Sequence, residues 1–341
     1  MTGADVSDLQ PLKDLFQLRV LRLMNTNVAD LSPLRDLKSL QILDLDGTLV
    51  SDLSPLELLK KLRHLDLNRT QVTDVSPLKG VDGLVYLILS NLEAINLSPL
   101  AHHPSIERLD LTGTILTNNF DLSKLPRLTD LDWAAVPIND LAPIRELKSL
   151  RNLNVRGTLV TDLSILKDLR ELNSINLART PVVDLTPIAH LPRLTSLHLS
   201  GVKNADISVL KSLTGLHYLD LEDNSSADFE VLRYLPHLWS LDLNNTAFAN
   251  PSMLVHMQNL KHLSLSHTHI TDLEGIEKLE MLESIELEGV EISSLSALQG
   301  LSNIRYIALN QEQKKKIEVP QELKSKVIYT RSERHLRNFT T

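Results

Sequence analysis

The sequence predicts a solenoid of the α/β class, in which a short strand and a short helical turn alternate along the chain. Three observations predict it. A leucine or isoleucine recurs every 22 residues from Leu18 to Ile304, over thirteen equal intervals without insertion or deletion. An L-x-L pair, or a variant of it with Ile, Val or Trp, starts three residues after each of these positions, and a D-L-S-P-L motif or a close variant closes many of the repeats. A strict period of this length is typical of stacked units that bury one continuous core.

The L-x-L pair predicts the strand of each repeat. With the first leucine counted as position 0, as at Leu40, the pair falls at positions 3 and 5, as at Leu43 and Leu45. Alternate side chains of a strand lie on opposite faces, so these leucines are predicted to point inward. Stacked repeats then form one parallel sheet, and positions 2, 4, 6 and 7 are predicted to project from its concave face.

A threonine recurs at position 8, where the chain leaves the strand and turns into the core. We expect each hydroxyl to bond the backbone of a neighbouring turn, because buried polar groups need partners. These threonines are Thr26, Thr48, Thr70, Thr114, Thr158, Thr180, Thr246 and Thr268. The valine or isoleucine two residues later is predicted to fill the core below the turn.

The D-L-S-P-L motif predicts the start of a helical turn. Serine is a favoured N-cap residue, and proline suits the first helical position because its missing N–H needs no partner there. Ser32-Pro33 and Ser54-Pro55 carry this pair. Only about six residues remain before the next strand, so the convex element is predicted to be one or two turns with 3₁₀ geometry.

These repeats resemble the leucine-rich-repeat family. They are most similar to its 22-residue subclass, found in internalins, in a phosphatase-regulating subunit and in bacterial and protozoan proteins that carry Thr in place of the usual Asn. The resemblance covers about residues 5–311. It implies an arc with a parallel sheet on the concave face and 3₁₀ or helical turns on the convex face. The repeat skeleton encodes the scaffold alone, so the resemblance implies no activity.

Three segments are predicted along the chain. Residues 1–17 form a partial N-terminal repeat or an improvised cap, with a preceding domain or edge-mediated self-association as the alternatives. Residues 18–311 hold 13–14 uninterrupted repeats. Residues 312–341 form a C-terminal capping segment, in which Val327-Ile328-Tyr329 is predicted to add a final strand that covers the core of the last repeat.

The composition argues against several classes of function. The net charge is −8 and aromatic residues make up 4%, which disfavours a basic-patch or base-stacking nucleic-acid binder. The absence of cysteine excludes thiol catalysis and cysteine-ligated metals. No apolar run is long enough to cross a bilayer, and the first residues show no secretory signal. A cytoplasmic location is therefore the default expectation, with delivery into a host cell as the alternative.

Function is predicted to lie in the variable positions of the concave face, and its first candidate is an apolar and aromatic patch near the N-terminus. This N-terminal patch consists of Val20, Ile42, His64, Tyr86, Ile88 and Arg108. Tyr and Arg often anchor protein interfaces. Scattered surface hydrophobic residues are normal, but clustering over five consecutive strands favours a binding role.

The second candidate is a series of carboxylates at position 4, called the acidic ladder. It contains Asp44, Asp66, Asp110, Asp132, Asp220 and Asp242, with Tyr218 beside its C-terminal part. Like charges on neighbouring strands repel, and a basic partner would relieve that repulsion. The alternative interpretation is that L-D-L is simply a common variant of this repeat.

Catalysis and metal binding find little support in the pattern. His262, His267 and His269 fall within one repeat, but position 9 turns away from the face, which leaves too few convergent zinc ligands. Ser264 and Ser266 lie near these histidines without a nucleophile elbow or an oxyanion hole. We therefore expect no catalytic, cofactor or metal site.

The sequence thus predicts a non-enzymatic scaffold that binds a protein or a peptide, basic in character, on its concave face. One alternative is a substrate-recognition arm of a larger catalytic or signalling protein, such as a ubiquitin ligase, a GTPase or a secreted bacterial effector. The other is a phosphatase-regulatory subunit, by analogy with the 22-residue subclass.

Overall fold

The computed structural model describes residues 5–118, 120–224 and 228–330. The chain divides into two compact units, Met1–Leu172 and Asn173–Thr341. Each unit is a stack of strand-and-turn repeats with 3₁₀ turns between the strands. The solenoid fold predicted from the 22-residue period is confirmed. Residues 1–4 and 331–341, which belong to the two predicted terminal segments, lie outside the described residues.

Within its described residues, the first unit contains seven parallel strands, each three residues long. They are β1 (Val20–Arg22), β2 (Ile42–Asp44), β3 (His64–Asp66), β4 (Tyr86–Ile88), β5 (Arg108–Asp110), β6 (Asp130–Asp132) and β7 (Asn152–Asn154). Each strand pairs with the next in unbroken 22-residue register. The 3₁₀ helices of this unit are Gln10–Leu12, Ser32–Leu34, Ser54–Leu56, Ser76–Gly80, Ser98–Leu100, Leu122–Lys124, Ala142–Ile144 and Ser164–Asp168.

The part of the second unit that the structure describes contains eight parallel strands. They are β8 (Ser174–Asn176), β9 (Ser196–His198), β10 (Tyr218–Asp220), β11 (Ser240–Asp242), β12 (His262–Ser264), β13 (Ser284–Glu286), β14 (Tyr306–Asn310) and β15 (Val327–Thr330). Its 3₁₀ helices are Thr186–Ile188, Ile207–Ser212, Glu230–Tyr234, Pro251–His256, Ile276–Lys278, Ser296–Leu298, Gln313–Lys315 and Gln321–Leu323. The final strand predicted at residues 327–329 is confirmed, because β15 pairs with β14.

The core of both units consists of the repeated leucines. Leu43, Leu45 and the position-10 residue Val50 are fully buried, and the residues at positions 3 and 5 of the other repeats are nearly so. Position 10 is less uniform, since Ala94 and Asn204 are exposed there. Trp133, which replaces the position-5 leucine, is 2% exposed and belongs to this core, as its position predicts. Its indole N–H has no hydrogen-bond partner among the described residues. Positions 2 and 4 of each strand lie on the opposite side, referred to as the sheet face.

The residue that starts each 3₁₀ turn is not the one expected. The sequence pointed to serine as the cap, but the aspartate two residues before it accepts the hydrogen bonds. Asp30 accepts from the backbone N–H and the hydroxyl of Ser32, both at 2.8 Å. Asp52 does the same for Ser54. The carboxylate spans two residues and satisfies a backbone donor that serine cannot reach, so serine acts as a donor here.

The position-8 threonines also bond differently from the prediction. The hydroxyl of Thr48 donates to the carbonyl of Leu45 in its own turn, at 2.7 Å. Six other threonines repeat this bond to the residue three positions earlier. Thr114 alone among the eight donates to a neighbouring repeat, at the carbonyl of Leu89. The tight turn brings the local carbonyl within reach first, so the prediction of a neighbouring turn is wrong for the other seven.

Position 7 takes a left-handed backbone conformation in thirteen successive repeats. Glycine fills it five times, with φ between 65° and 71°. The other eight residues there have φ between 53° and 58°: Asn25, Arg69, Asn91, Ala135, Arg179, Asp223, Asn245 and His267. The turn therefore imposes left-handed φ whatever the side chain, at an energetic cost for every residue except glycine.

Candidate functional site

The strand register of the first unit places the predicted N-terminal patch on one surface. Position 2 of β1–β5 carries Val20, Ile42, His64, Tyr86 and Arg108, each opposite the next. Ile88 lies on β4, two residues after Tyr86. All six project from the sheet face, and their side chains are half-buried or exposed. Whether a partner binds them stays a prediction.

Two rings of this patch pack against each other. The ring centroids of His64 and Tyr86 lie 4.7 Å apart, and the planes meet at 62°. Burial lowers the pKa of His64, with Asp44 opposing that shift. The imidazole therefore favours its neutral form, which suits an apolar and aromatic contact. At the edge of the patch, Arg108 approaches Asp130 at 3.9 Å and is largely exposed.

The acidic ladder is assembled as the spacing predicts. Its adjacent pairs are in register: Asp44 with Asp66, Asp110 with Asp132, and Asp220 with Asp242. Burial raises the pKa of Asp66 to about 6, and the charges of Asp44, Asp46 and Asp110 add to this. Burial also raises the pKa of Asp242 well above its usual value, and the nearby carboxylates reinforce that shift.

The ladder has a structural role that sequence reasoning missed. Each carboxylate accepts a hydrogen bond from the backbone N–H two residues later, as Asp66 does from Asn68 at 2.9 Å and Asp242 from Asn244 at 2.8 Å. Asn154 makes the same bond to the N–H of Arg156 with its amide oxygen. An Asp or Asn side chain at position 4 can therefore bond the backbone at the end of the strand, and this bond does not need the charge. Strands also end at Ile88 and Ser264, which lack such a side chain.

The second unit adds an aromatic row that the sequence prediction found only in part. The ring centroids of His198 and Tyr218 lie 4.5 Å apart, those of Tyr218 and Trp239 6.2 Å, and those of Trp239 and His262 5.8 Å. Tyr218 was predicted as a binding residue. Trp239 was missed because it occupies position 1, which was not counted among the face positions. The sequence did hold a signal for it. Trp239 is an aromatic residue directly before β11, and the preceding strand, β10, carries the aromatic residue Tyr218 at position 2.

The histidines near the C-terminal end are separated by the turn of the chain. His262 lines an open pocket of about 730 Å³, and His267 and His269 line a different one of about 830 Å³. The ring of His262 bonds the hydroxyl of Ser284 through Nδ1 at 2.8 Å. No group of three potential metal ligands occurs within residues 5–118, 120–224 and 228–330. In the same residues, no helix is long and apolar enough to cross a membrane.

Comparisons with known proteins agree with this geometry. The family model of leucine-rich repeats in two copies matches residues 17–58. An internalin, InlF of Listeria monocytogenes, is 30% identical, with a TM-score of 0.71 over 83% of this chain and 84% of that one. The chain belongs to the leucine-rich-repeat family. Among curated proteins, no sequence matches it.

More distant leucine-rich-repeat structures share the fold alone. A protein of Leptospira interrogans is 20% identical, with a TM-score of 0.70 over 93% of both chains. The ectodomain of the Arabidopsis thaliana receptor kinase GASSHO1/SCHENGEN3, in complex with Casparian Strip Integrity Factor 2, is 20% identical. It has a TM-score of 0.59 over 89% of this chain and 40% of that one. A leucine-rich-repeat scaffold of this kind is typical of protein recognition.

Proposed function

We propose that this leucine-rich-repeat protein is a non-enzymatic recognition module that binds a protein or peptide through the sheet face of its first unit. The observation that carries this proposal is the N-terminal patch. Apolar and aromatic side chains lie next to one another on the four consecutive strands β1–β4, with Arg108 beside them on β5, and they face solvent. The core does not require them, because the leucines on the other side of the sheet already fill it.

The chemistry of the patch fits a protein partner. Tyr86 and Arg108 lie opposite each other on β4 and β5, at one end of the patch, and these residue types dominate the binding energy of many interfaces. A sheet whose backbone is fixed by its register loses little conformational entropy on binding. Asp44, Asp66 and Asp110 border the patch, so a partner segment with basic residues matches it in charge.

Two further roles remain compatible with this proposal. The module could serve a larger catalytic or signalling protein as its substrate-recognition arm, since the same face would then hold the substrate. The GASSHO1/SCHENGEN3 ectodomain, which has a similar fold, is an example. It is the leucine-rich-repeat part of a receptor kinase and is in complex with Casparian Strip Integrity Factor 2. A phosphatase-regulatory role is the weaker candidate, because Thr stands at position 8 where that subclass usually has Asn.

The test compares the proteins captured by three forms of the chain. The first form is wild type, and the second carries Tyr86→Ala, Ile88→Ser and Arg108→Ala. The third is a control with Tyr234→Ala, Leu159→Ser and Arg145→Ala, which removes similar exposed side chains away from the sheet face. Circular dichroism checks that all three fold.

Affinity capture from host lysate, quantified by mass spectrometry, is expected to give the same partner with wild type and control. The patch variant is expected to lose it. Retention of that partner by the patch variant at wild-type abundance would rule out the N-terminal patch as the binding site.

A further inference from the structure

A pocket opens in the first unit, outside its sheet face, where one repeat departs from the pattern. The motif D-L-S-P-L, present at residues 52–56, is replaced by N-N-F-D-L at residues 118–122. Here the 3₁₀ helix Leu122–Lys124 starts two residues later in its repeat than the 3₁₀ helices of the repeats on either side. The pocket lies between this shifted turn and the next one, since both Ser123 and Pro143 line it. It is called the side pocket.

The side pocket has the size and the lining of a small-molecule site. Its volume is about 600 Å³, within the range of roughly 300–1,000 Å³ that is usual for such sites. The buried side chains of Phe120 and Val136 and the half-buried Ile138 contribute to its walls. The apolar wall reaches solvent at Ile115, which is 54% exposed. An apolar group can therefore enter the pocket from outside.

Trp133 adds an unpaired hydrogen-bond donor to the lining of this pocket. The residue stands where most repeats have the position-5 leucine, and it is 2% exposed. Its Nε1–H has no partner among the described residues, and the nitrogen lies below the accessible surface. An indole N–H can only donate, and a buried donor without an acceptor costs free energy. An acceptor atom that enters the floor of the pocket would satisfy it.

A second polar group in the lining is also incompletely paired. The amide of Asn118 donates through Nδ2 to the hydroxyl of Ser98 at 2.8 Å. Its Oδ1 is buried and accepts no hydrogen bond from the part of the chain that the structure describes. Two incompletely paired groups from neighbouring repeats, Asn118 and Trp133, therefore border the same cavity, as expected of a site that a ligand completes.

The charges at the rim of the side pocket restrict the charge of a ligand. Asp121, Asp140 and Glu146 are exposed and lie in its lining. Arg145 is the one cationic residue among the described residues that line it. Asp140 is held at the rim, because its carboxylate accepts the backbone N–H of Ala142 at 2.8 Å. An anion would therefore meet an excess of negative charge, whereas an uncharged molecule would not.

We propose that the side pocket binds a small uncharged molecule with an apolar ring and a carbonyl oxygen, and that this oxygen accepts the indole N–H of Trp133. The apolar walls around Phe120 and Val136 hold the ring, and the carboxylates of the rim exclude anions. The site lies outside the sheet face and shares no residue with the N-terminal patch. This inference therefore goes beyond the proposed function and does not rest on it.

The test uses acetophenone as the probe, because it joins one ring to one carbonyl oxygen. It is titrated into the ¹⁵N-labelled full chain, and the indole N–H signals of the two tryptophans are followed by NMR. Trp239→Phe assigns these signals, since the one that remains belongs to Trp133. α-Methylstyrene has the shape of acetophenone without the acceptor, and benzoate has a similar shape with a negative charge.

We expect acetophenone to shift the Trp133 signal saturably and to leave the Trp239 signal in place. α-Methylstyrene is expected to bind about tenfold more weakly, because it cannot accept the N–H, and benzoate not to bind. Ala142→Phe adds a ring at the exposed rim and is expected to abolish the shift. The matched control is Ser164→Phe, at the equivalent exposed position of the next repeat and outside the pocket, which leaves binding unchanged.

Three outcomes would overturn the proposal. One is an unchanged Trp133 signal up to the solubility limit of acetophenone. Another is equal affinity for acetophenone and α-methylstyrene, which would show that the N–H takes no part. The third is a saturable shift that survives Ala142→Phe in a variant with a native ¹⁵N spectrum, which would place the ligand outside the side pocket. None of these outcomes bears on the capture experiment, which changes residues of the sheet face.

Discussion

The guanidinium of Arg69 donates two hydrogen bonds to the carboxylate of Asp46 in the preceding repeat, of 3.0 Å from Nε and 2.8 Å from Nη2. The side chain of Asp46 is only 10% exposed, beside the acidic ladder. Arg69 thereby compensates one of the carboxylates that crowd Asp66. A lysine at this position would supply a point charge without the paired geometry.

We therefore expect Arg69→Gln to lower the urea midpoint of unfolding, and Asp46→Asn to cancel most of that loss in the double variant. Arg179→Gln is the control, because Arg179 occupies the same left-handed position and has no carboxylate partner among the described residues. A double-mutant cycle from urea unfolding checks the coupling. Additive effects would show that the pair contributes no coupling energy.

The raised pKa of Asp66 predicts how stability depends on pH. The folded chain binds this proton up to about pH 6, whereas the unfolded chain releases it near the usual 3.8. The native state therefore binds more protons in that window, and the free energy of unfolding falls as the pH rises through it. Solvent screens a half-exposed group, so the loss at neutral pH is about 1 kcal/mol.

Asp66→Asn is expected to recover that amount at neutral pH and to flatten the pH dependence between 4 and 6. The amide keeps the acceptor for the N–H of Asn68, as Asn154 does for Arg156. The reverse change, Asn154→Asp, places a carboxylate opposite Asp132 and is expected to destabilise. Chemical unfolding over a pH series measures both. An unaltered pH slope in Asp66→Asn would refute this origin of the dependence.

The aspartates before the 3₁₀ turns predict a second, opposite pH effect. Hydrogen bonds from Ser32 and Ser54 hold the pKa values of Asp30 and Asp52 below their usual range. Their stabilising effect is complete above about pH 4 and is lost as the pH falls through the lowered folded-state values. We expect Asp52→Ala to lower the stability at neutral pH more than Ser54→Ala does, because only Asp52 accepts the backbone N–H, and we expect this difference to shrink as the pH falls.

Thermal unfolding of both variants between neutral and acid pH checks this prediction. Ser54→Ala serves as the control, since it removes the bond from the hydroxyl and leaves the backbone N–H paired with Asp52. Equal losses in the two variants would mean that the cap is the serine after all.

Much of the scaffold could be predicted because it repeats. The spacing from Leu18 to Ile304 determines the strand register, and register alone brings Val20, Ile42 and Tyr86 onto one face. A final strand at Val327-Ile328-Tyr329 was also foreseen, because the last repeat needs a cap over its core. Periodicity shows on which face of the sheet each side chain lies, and this is sufficient to predict which residues form a candidate binding surface.

The hydrogen-bond chemistry was harder to predict. Asp30 and Ser32 are both common caps, and only the backbone geometry shows that the aspartate accepts while the serine donates. The reach of Thr48 to its own turn depends on the tightness of that turn in the same way. Trp239 escaped prediction because its position lies just outside the alternating strand, where direction does not follow from the two-residue period.

The left-handed turn at position 7 gives a last prediction, for which the chain supplies its own controls. Gly157 has φ of 69°, and no atom lies within 4 Å of the place that a Cβ would take. Gly157→Ala therefore adds backbone strain without a steric clash, and we expect it to lower the free energy of unfolding by about 1 kcal/mol.

Ala135 occupies the equivalent position in the preceding repeat, with φ of 55°. Relief of its strain outweighs the greater freedom that glycine gives the unfolded chain, so we expect Ala135→Gly to stabilise by up to about 1 kcal/mol. Ala142→Gly is the control, because Ala142 begins a 3₁₀ turn outside the left-handed region and should lose stability instead. Urea unfolding measures all three. If Ala135→Gly destabilised the chain as Ala142→Gly does, the prediction would be wrong. Contacts of the Ala135 methyl group would then offset the cost of the left-handed φ at position 7.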